Sequence, residues 1–205
     1  MFPVRARGLQ PVGFLESLGN FFGPFHPTYP KMKIEHKIVA TLKNLSTLDE
    51  VWDYCERSFV YLGEGNSRAA FAVSNSTVIK IVTDDVQPNR TEWRVGSNPA
   101  NGRFVPRVLD HHPEFWWILV ERLKAVLPEE AFRIVGVSER ALGEFLDGRD
   151  WYETVGEFDI TPEQKSFIED LKVFVRANRL DTHSLETHQE WGWTHDGRFV
   201  LMDFE

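Results

Sequence analysis

Apolar positions recur at two periods along this chain, and the change from one to the other divides it. Between Phe59 and Val82, three runs, "FVYLG", "AAFAV" and "TVIKIV", are rich in β-branched and aromatic residues. A glycine turn and the polar Ser74-Asn75-Ser76 part them. They predict a three-stranded antiparallel meander. Before it, "STLDEVWDYCERS" predicts a short helix: Ser46 is the candidate N-cap, Asp49 lies three residues on, and Leu48, Val51, Trp52 and Cys55 share a face. After it, "QPNRTEWRVG" predicts a helix from Gln87 that Gly96 and Pro99 end, and "RFVPRVLD" and "EFWWILVERL" predict two more strands. The second of these is too apolar to be half exposed.

Beyond Pro128 the period becomes helical, through Ala131, Phe132 and Val135 and then Leu142, Phe145 and Leu146. Thr161, Pro162 and Gln164 form a helix start, with threonine as N-cap, proline in the first turn and glutamine as capping-box partner; Phe167, Ile168, Leu171, Phe174 and Val175 supply the stripe. The chain closes on "WGW", a turn at Asp196-Gly197, and "RFVLMDF", which predict a hairpin. Strands come first and helices second, so the fold class is α+β, with two lobes. The expected division is an arm rich in Pro, Gly and aromatics over 1–45, irregular to about Lys33, a small lobe over 46–123, and a larger, mainly helical lobe over 124–205.

Composition narrows the function classes. The chain has 205 residues, 42% hydrophobic and 26% charged, which suits a globular protein with a real core. A net charge of −8 argues against nonspecific nucleic-acid binding. The single cysteine, Cys55, allows no intrachain disulfide and suggests a reducing, cytoplasmic setting. No apolar run is long enough to span a bilayer, and no secretory signal follows Arg5 and Arg7, so no membrane partner is expected.

The chemistry gathers around "YLGEGNSRAAFAVSNSTVIKIV", Tyr61–Val82. Gly63 and Gly65 let the backbone fold tightly enough for its N–H groups to face a phosphate, although such a turn is commonly only a hairpin. Lys80 lies within an apolar run. An unpaired buried ammonium is expensive, so Lys80 is either an edge-strand charge whose stem snorkels or one that needs a carboxylate partner. Glu92, on the following helix, is the expected partner, ahead of Asp84 and Asp85 in the turn. Arg68 has three open readings: it orients the glycine loop, meets a phosphate, or is an exposed strand charge. His183, His188 and His195 lack the spacing of a zinc site, and Trp116, Trp117, Trp191 and Trp193 are expected in cores more than as a base-stacking platform.

This set resembles the small lobe of the protein-kinase fold: a glycine-rich hairpin ("GEGNSRAAFAV"), a strand lysine ("VIKI"), a helix glutamate ("QPNRTEW") and a strand entering an acidic hinge ("WILVERL"). With "G-x-G-x-S-R" and "Q-x-N-x-x-E" it looks most like small divergent kinase-like proteins of bacteriophages and mobile elements. The resemblance implies that ATP and Mg²⁺ are cofactors. Gly63, Gly65 and Arg68 would lie over the phosphates, Lys80 would contact them and pair with Glu92, and Glu121 to Leu123 would meet adenine through the backbone. Glu190 and Asp203 would hold the metal, Asp203 in "RFVLMDFE" standing where the Asp-Phe-Gly aspartate belongs. Counting back from Glu190, the general-base position falls on Leu185, and "HSL" replaces His-Arg-Asp; Asp181 or Glu186 would then have to serve. Glu205 replaces the glycine of the metal motif, and no activation segment follows it in this sequence. Two functions are implied: a phage-encoded Ser/Thr kinase acting on a host protein, or an impaired pseudokinase that binds and regulates a host or defence protein.

Overall fold

The structure is a computed structural model that describes residues 36–156, 158–182 and 188–202. Five strands build the small lobe: β1 (Val60–Glu64), β2 (Arg68–Ala72), β3 (Thr77–Val82), β4 (Val108–His111) and β5 (Trp117–Glu121), in the spatial order β1-β2-β3-β5-β4. All neighbours are antiparallel, and the first three form the expected meander.

Two helices cover the back of this sheet. From α1 (His36–Lys43), which falls within the 1–45 segment, Val39 and Leu42 are buried, and from α2 (Leu48–Ser58) Val51 and Cys55 join them. They pack on Ala69, Phe71, Ile79, Ile81, Trp117 and Leu119. Burial there pushes the Cys55 thiol up to about 12, so it stays a neutral core group. The cap of α2 is Thr47, where Ser46 was expected. The Thr47 hydroxyl accepts from Glu50 N at 3.2 Å and the Glu50 carboxylate accepts from Thr47 N at 3.1 Å. Glu50 is long enough to reach back over the first turn and takes the Ser46 N–H as well, at 2.6 Å, which sets the box one residue later.

On the front face, Val78, Val108, Ile118 and Val120 form a second apolar layer with Ala70 and with Trp93 of α3 (Gln87–Gly96). With both faces covered, every residue of β5 is buried, as its apolar run predicts. The "RFVPRVLD" segment is strand only from Val108. Residues 103–105 instead leave the sheet: Leu201 N donates to Phe104 O at 2.8 Å, and Phe104 and Val105 join the core of the other lobe.

That lobe is mainly helical, with α4 (Pro128–Val135), α5 (Glu139–Leu146), the single turn α6 (Trp151–Thr154) and α7 (Pro162–Asn178). The α7 start is the expected capping box of Thr161 and Gln164. Gln164 does a second job, because its Nε2 donates to Arg133 O at 3.0 Å and closes the end of α4. A small sheet of β6 (Lys124–Ala125), β7 (Trp191–Trp193) and β8 (Phe199–Leu201) lies between the lobes, with the expected turn at Asp196-Gly197. Trp191 stacks on Phe199 with centroids 4.7 Å apart, and Trp117 is buried in the back layer, so both tryptophans serve cores. A small antiparallel sheet lobe joined to a mainly helical lobe is the two-lobed, kinase-like architecture. Among the described residues, no helix is long and apolar enough to cross a membrane.

Candidate functional site

The β1–β2 turn forms one wall of the cleft between the lobes. The strand register shifts between Tyr61 and Gly63, and Gly63 takes φ +150°, a backbone conformation that side chains resist even though nothing crowds its Cβ position. Gly65 N donates to Arg68 O at 2.8 Å and closes the turn. Lys80 stands in the middle of β3, between Ala70 on β2 and Ile118 on β5. Its Nζ donates to both oxygens of Glu92, at 2.8 and 3.0 Å, and to Met202 O at 3.1 Å. The Glu92 carboxylate is fully buried at 0% exposure, so the lysine inside the strand has the partner its burial requires.

Three further bonds fix that carboxylate and its helix. Arg68 Nη1 donates to Glu92 Oε2 at 2.6 Å, with the arginine side chain 5% exposed; the exposed-charge reading of Arg68 is thereby overturned. Asn89, one turn before Glu92, donates to Phe115 O at 2.9 Å and anchors α3 to the β4–β5 hairpin. At the far end of the helix, Arg94 Nη2 reaches Asn178 O at 3.0 Å and ties it to the helical lobe.

A cavity of about 980 Å³ opens beneath the turn. Gly63, Gly65 and Arg68 line it from the turn, Ala70, Val78 and Lys80 from the sheet, Val120 to Leu123 along the hinge, and Gln189, Glu190 and Met202 from the other lobe. Gly63, Gly65, Arg68, Lys80, Glu121, Leu123 and Glu190 therefore meet in one place, with Glu92 behind Lys80. Asp181 is exposed and does not line the cavity. His183, Leu185, Glu186 and Asp203 lie outside the described residues. The apolar walls Ala70 and Val78 went unread in the sequence, although two-residue alternation puts Val78 on the Lys80 face and pairing puts Ala70 beside it. Leu123 packs so closely on β7 that a Cβ on Gly192 would lie 2.8 Å from its own, so the cavity floor needs glycine there.

The Glu121 side chain has a structural task that its sequence position gave no sign of. Its carboxylate accepts from Arg107 N at 2.8 Å, Arg107 Nε at 2.9 Å and Arg198 Nη2 at 2.5 Å. Asp196 closes the ring, bonding Arg107 Nη2 and Arg198 Nε, each at 3.0 Å. This ring ties the hinge to the β7–β8 turn, and so one lobe to the other. Burial alone would raise the Asp196 pKa, but the Thr194 hydroxyl, Arg198 and Arg107 together hold it below the ordinary carboxyl value. A depressed folded-state pKa stabilises above the unfolded value and loses that contribution as pH falls through the folded one. Asp196→Asn is therefore expected to lower the melting temperature at pH 7, and the gap to wild type should close below about pH 4. Thermal melts between pH 7 and pH 3 check this, and a gap independent of pH would refute it.

Among the described residues, no group of three or more His, Cys, Asp or Glu side chains is placed to hold a metal ion. Glu190 does face the cavity. One such carboxylate suits Mg²⁺, which takes one or two protein carboxylates and completes its shell with phosphate oxygens and water.

No protein-family model matches this chain, and no curated protein does. Among solved structures, it is similar to the streptomycin-ATP-APH(2")-IIa ternary complex, with a TM-score of 0.39 and 12% identity over 78% of this chain and 72% of that one. It is also similar to the gentamicin-APH(2")-IIa complex, with a TM-score of 0.38 and 13% identity over 79% and 71%.

Proposed function

We infer that the cleft binds ATP with Mg²⁺ and that the chain is a kinase-like phosphotransferase whose acceptor is a Ser or Thr hydroxyl of another protein. The observation that carries this reading is the Lys80–Glu92 pair at 2.8 Å beneath a glycine turn, on the wall of a cavity large enough for a nucleotide. In this reading the backbone of residues 121–123 meets the base and Ala70 and Val78 pack on it. Lys80 meets the α- and β-phosphates, and Glu190 and Asp203 hold the metal, whose contribution is to neutralise phosphate charge. The resemblance of the "G-x-G-x-S-R" turn to that of divergent bacteriophage kinase-like proteins supports a bacteriophage origin and a host protein as acceptor.

A second reading, a pseudokinase that binds nucleotide and regulates a partner protein, is favoured by one observation. Asp181, a candidate general base, stands outside the cavity. Radiolabelled phosphate transfer from ATP to the protein itself and to cell extract separates the two. A kinase transfers label, and Lys80→Ala or Asp203→Ala abolishes the transfer; a pseudokinase binds ATP and transfers none. Transfer that survives both substitutions would overturn the site assignment.

A further inference from the structure

The first turn of α3 is seated by another part of the small lobe more than by its own cap. Val86 stands at the N-cap with no capping side chain, and Asn89, a weak helix former, follows in the first turn. Asn89 is fully buried, at 0% exposure. Its Nδ2 donates to Phe115 O at 2.9 Å and, more weakly, to Lys80 O at 3.5 Å, while its Oδ1 is buried with no partner among the described residues. A buried amide that leaves its own oxygen unpaired adds little net stability, and an apolar side chain of similar size would pack there at less cost. What Asn89 supplies is position.

The carbonyl it grips belongs to a constrained residue. Phe115 takes φ +62°, the left-handed region that a bulky side chain resists, and closes the β4–β5 turn by donating its N–H to His112 O at 2.9 Å. Its ring stacks on His111 with centroids 5.0 Å apart, and the Arg90 guanidinium lies 5.3 Å from the ring centre. Trp93 packs on His111 in turn, at 4.1 Å. Asn89, Arg90 and Trp93 thus all bear on one hairpin, and Glu92 lies among them. The far end of α3 is fixed separately: a Cβ on Gly96 would lie 2.7 Å from Val108 Cγ2, and Arg94 reaches Asn178 O. Asn89 therefore governs the half of the helix that leads into Glu92.

We propose that Asn89 is a positioning residue for the nucleotide phosphates: by pinning the start of α3 to Phe115 O, it holds the Glu92 carboxylate against Lys80, so that the ammonium meets phosphate already ordered. This rests on the nucleotide-binding reading above and deepens it. A lysine fixed in advance loses less rotamer freedom on binding, which leaves more of its contact energy as affinity. Only ligands that carry phosphate gain from this.

The test is calorimetric titration of the full chain with Mg-ATP and with adenosine, in wild type, Asn89→Ala, Asn89→Leu, Lys80→Met and the double variant Asn89→Leu with Lys80→Met. Each Asn89 variant is expected to weaken ATP about three- to tenfold, the worth of one hydrogen bond, and adenosine by less than about twofold. Asn89→Leu fills the volume of the amide, so it carries the test if Asn89→Ala fails to fold. In the Lys80→Met background, Asn89→Leu should cost less than about twofold more in ATP affinity, because its effect passes through the lysine. A merely structural asparagine would lower ATP and adenosine alike, or lower ATP by the same factor with and without Lys80. Either result, an ATP affinity unmoved by Asn89→Leu, or the failure of both single Asn89 variants to fold would overturn the assignment while leaving the pocket reading intact. A wild-type chain that binds neither ligand would overturn both.

Discussion

Replacing Glu92 with alanine is expected to cost about 3–5 kcal/mol of stability, the usual penalty for removing one partner of a buried ion pair. The case here is more severe than a single pair. Alanine would leave Arg68 and Lys80 facing one another with side-chain exposures of 5% and 13%, in place of a carboxylate that touches both. Charges that have lost this carboxylate must move or draw in water, and α3, which carries Glu92, would lose one of its ties to the sheet while Asn89 still holds it to Phe115 O. Glu92→Gln should lie between wild type and Glu92→Ala, because the amide oxygen still accepts one hydrogen bond but balances neither charge. Urea unfolding monitored by tryptophan fluorescence measures all three proteins. A loss below about 1 kcal/mol for Glu92→Ala would mean that the cluster is worth no more than a solvated surface pair.

Lys80→Met should behave in the opposite way, leaving the fold nearly intact while removing function. Glu92 would still be neutralised by Arg68 at 2.6 Å, so that carboxylate is not left uncompensated, and methionine fills the space of the lysine stem. Nucleotide affinity, by contrast, would lose a charge-assisted contact to phosphate of about 1.5–3 kcal/mol, or roughly ten- to a hundredfold. Calorimetric titration with ATP, alongside a urea melt of the same protein, separates the two quantities. The pattern to look for is severe destabilisation in one member of the cluster and selective loss of binding in the other. If Lys80→Met were destabilised as strongly as Glu92→Ala, Arg68 would not be balancing the carboxylate in the way its distance implies.

Much of this architecture is legible in local pattern. The meander follows from β-branched runs of matching length separated by turn residues. The start of α7 follows from Thr161, Pro162 and Gln164, whose bonds are local. The pairing of Lys80 with Glu92 could be anticipated because a lysine among Val78, Ile79 and Ile81 must find an anion, and the next helix offers one. Other features depend on residues far apart in the chain. Alternation along β2 puts Arg68 on the face of Ala70, but its choice of Glu92 over solvent is settled by how α3 seats against the sheet. Glu121 looked like a hinge residue known mainly by its backbone; the bonds of its ring with Arg107, Asp196 and Arg198 span up to 89 residues of sequence and leave no periodic trace. The cap of α2 falls on Thr47, one residue after the expected Ser46, a difference set by the reach of the Glu50 side chain. The strand expected from Arg103 begins only at Val108 because Phe104 and Val105 find their apolar partners in the other lobe.

The central claim is that the cleft beneath the glycine turn holds Mg-ATP, and thermal unfolding of the full chain against ATP concentration, with and without Mg²⁺, tests it most directly. The structure predicts a saturable rise in stability, about 2.7 kcal/mol at a hundredfold excess over the dissociation constant, that falls to about 0.4–1.4 kcal/mol in Lys80→Met at the same ATP concentration. A wild-type melting curve unmoved by Mg-ATP at roughly 10 mM, well above even a millimolar dissociation constant, would contradict it.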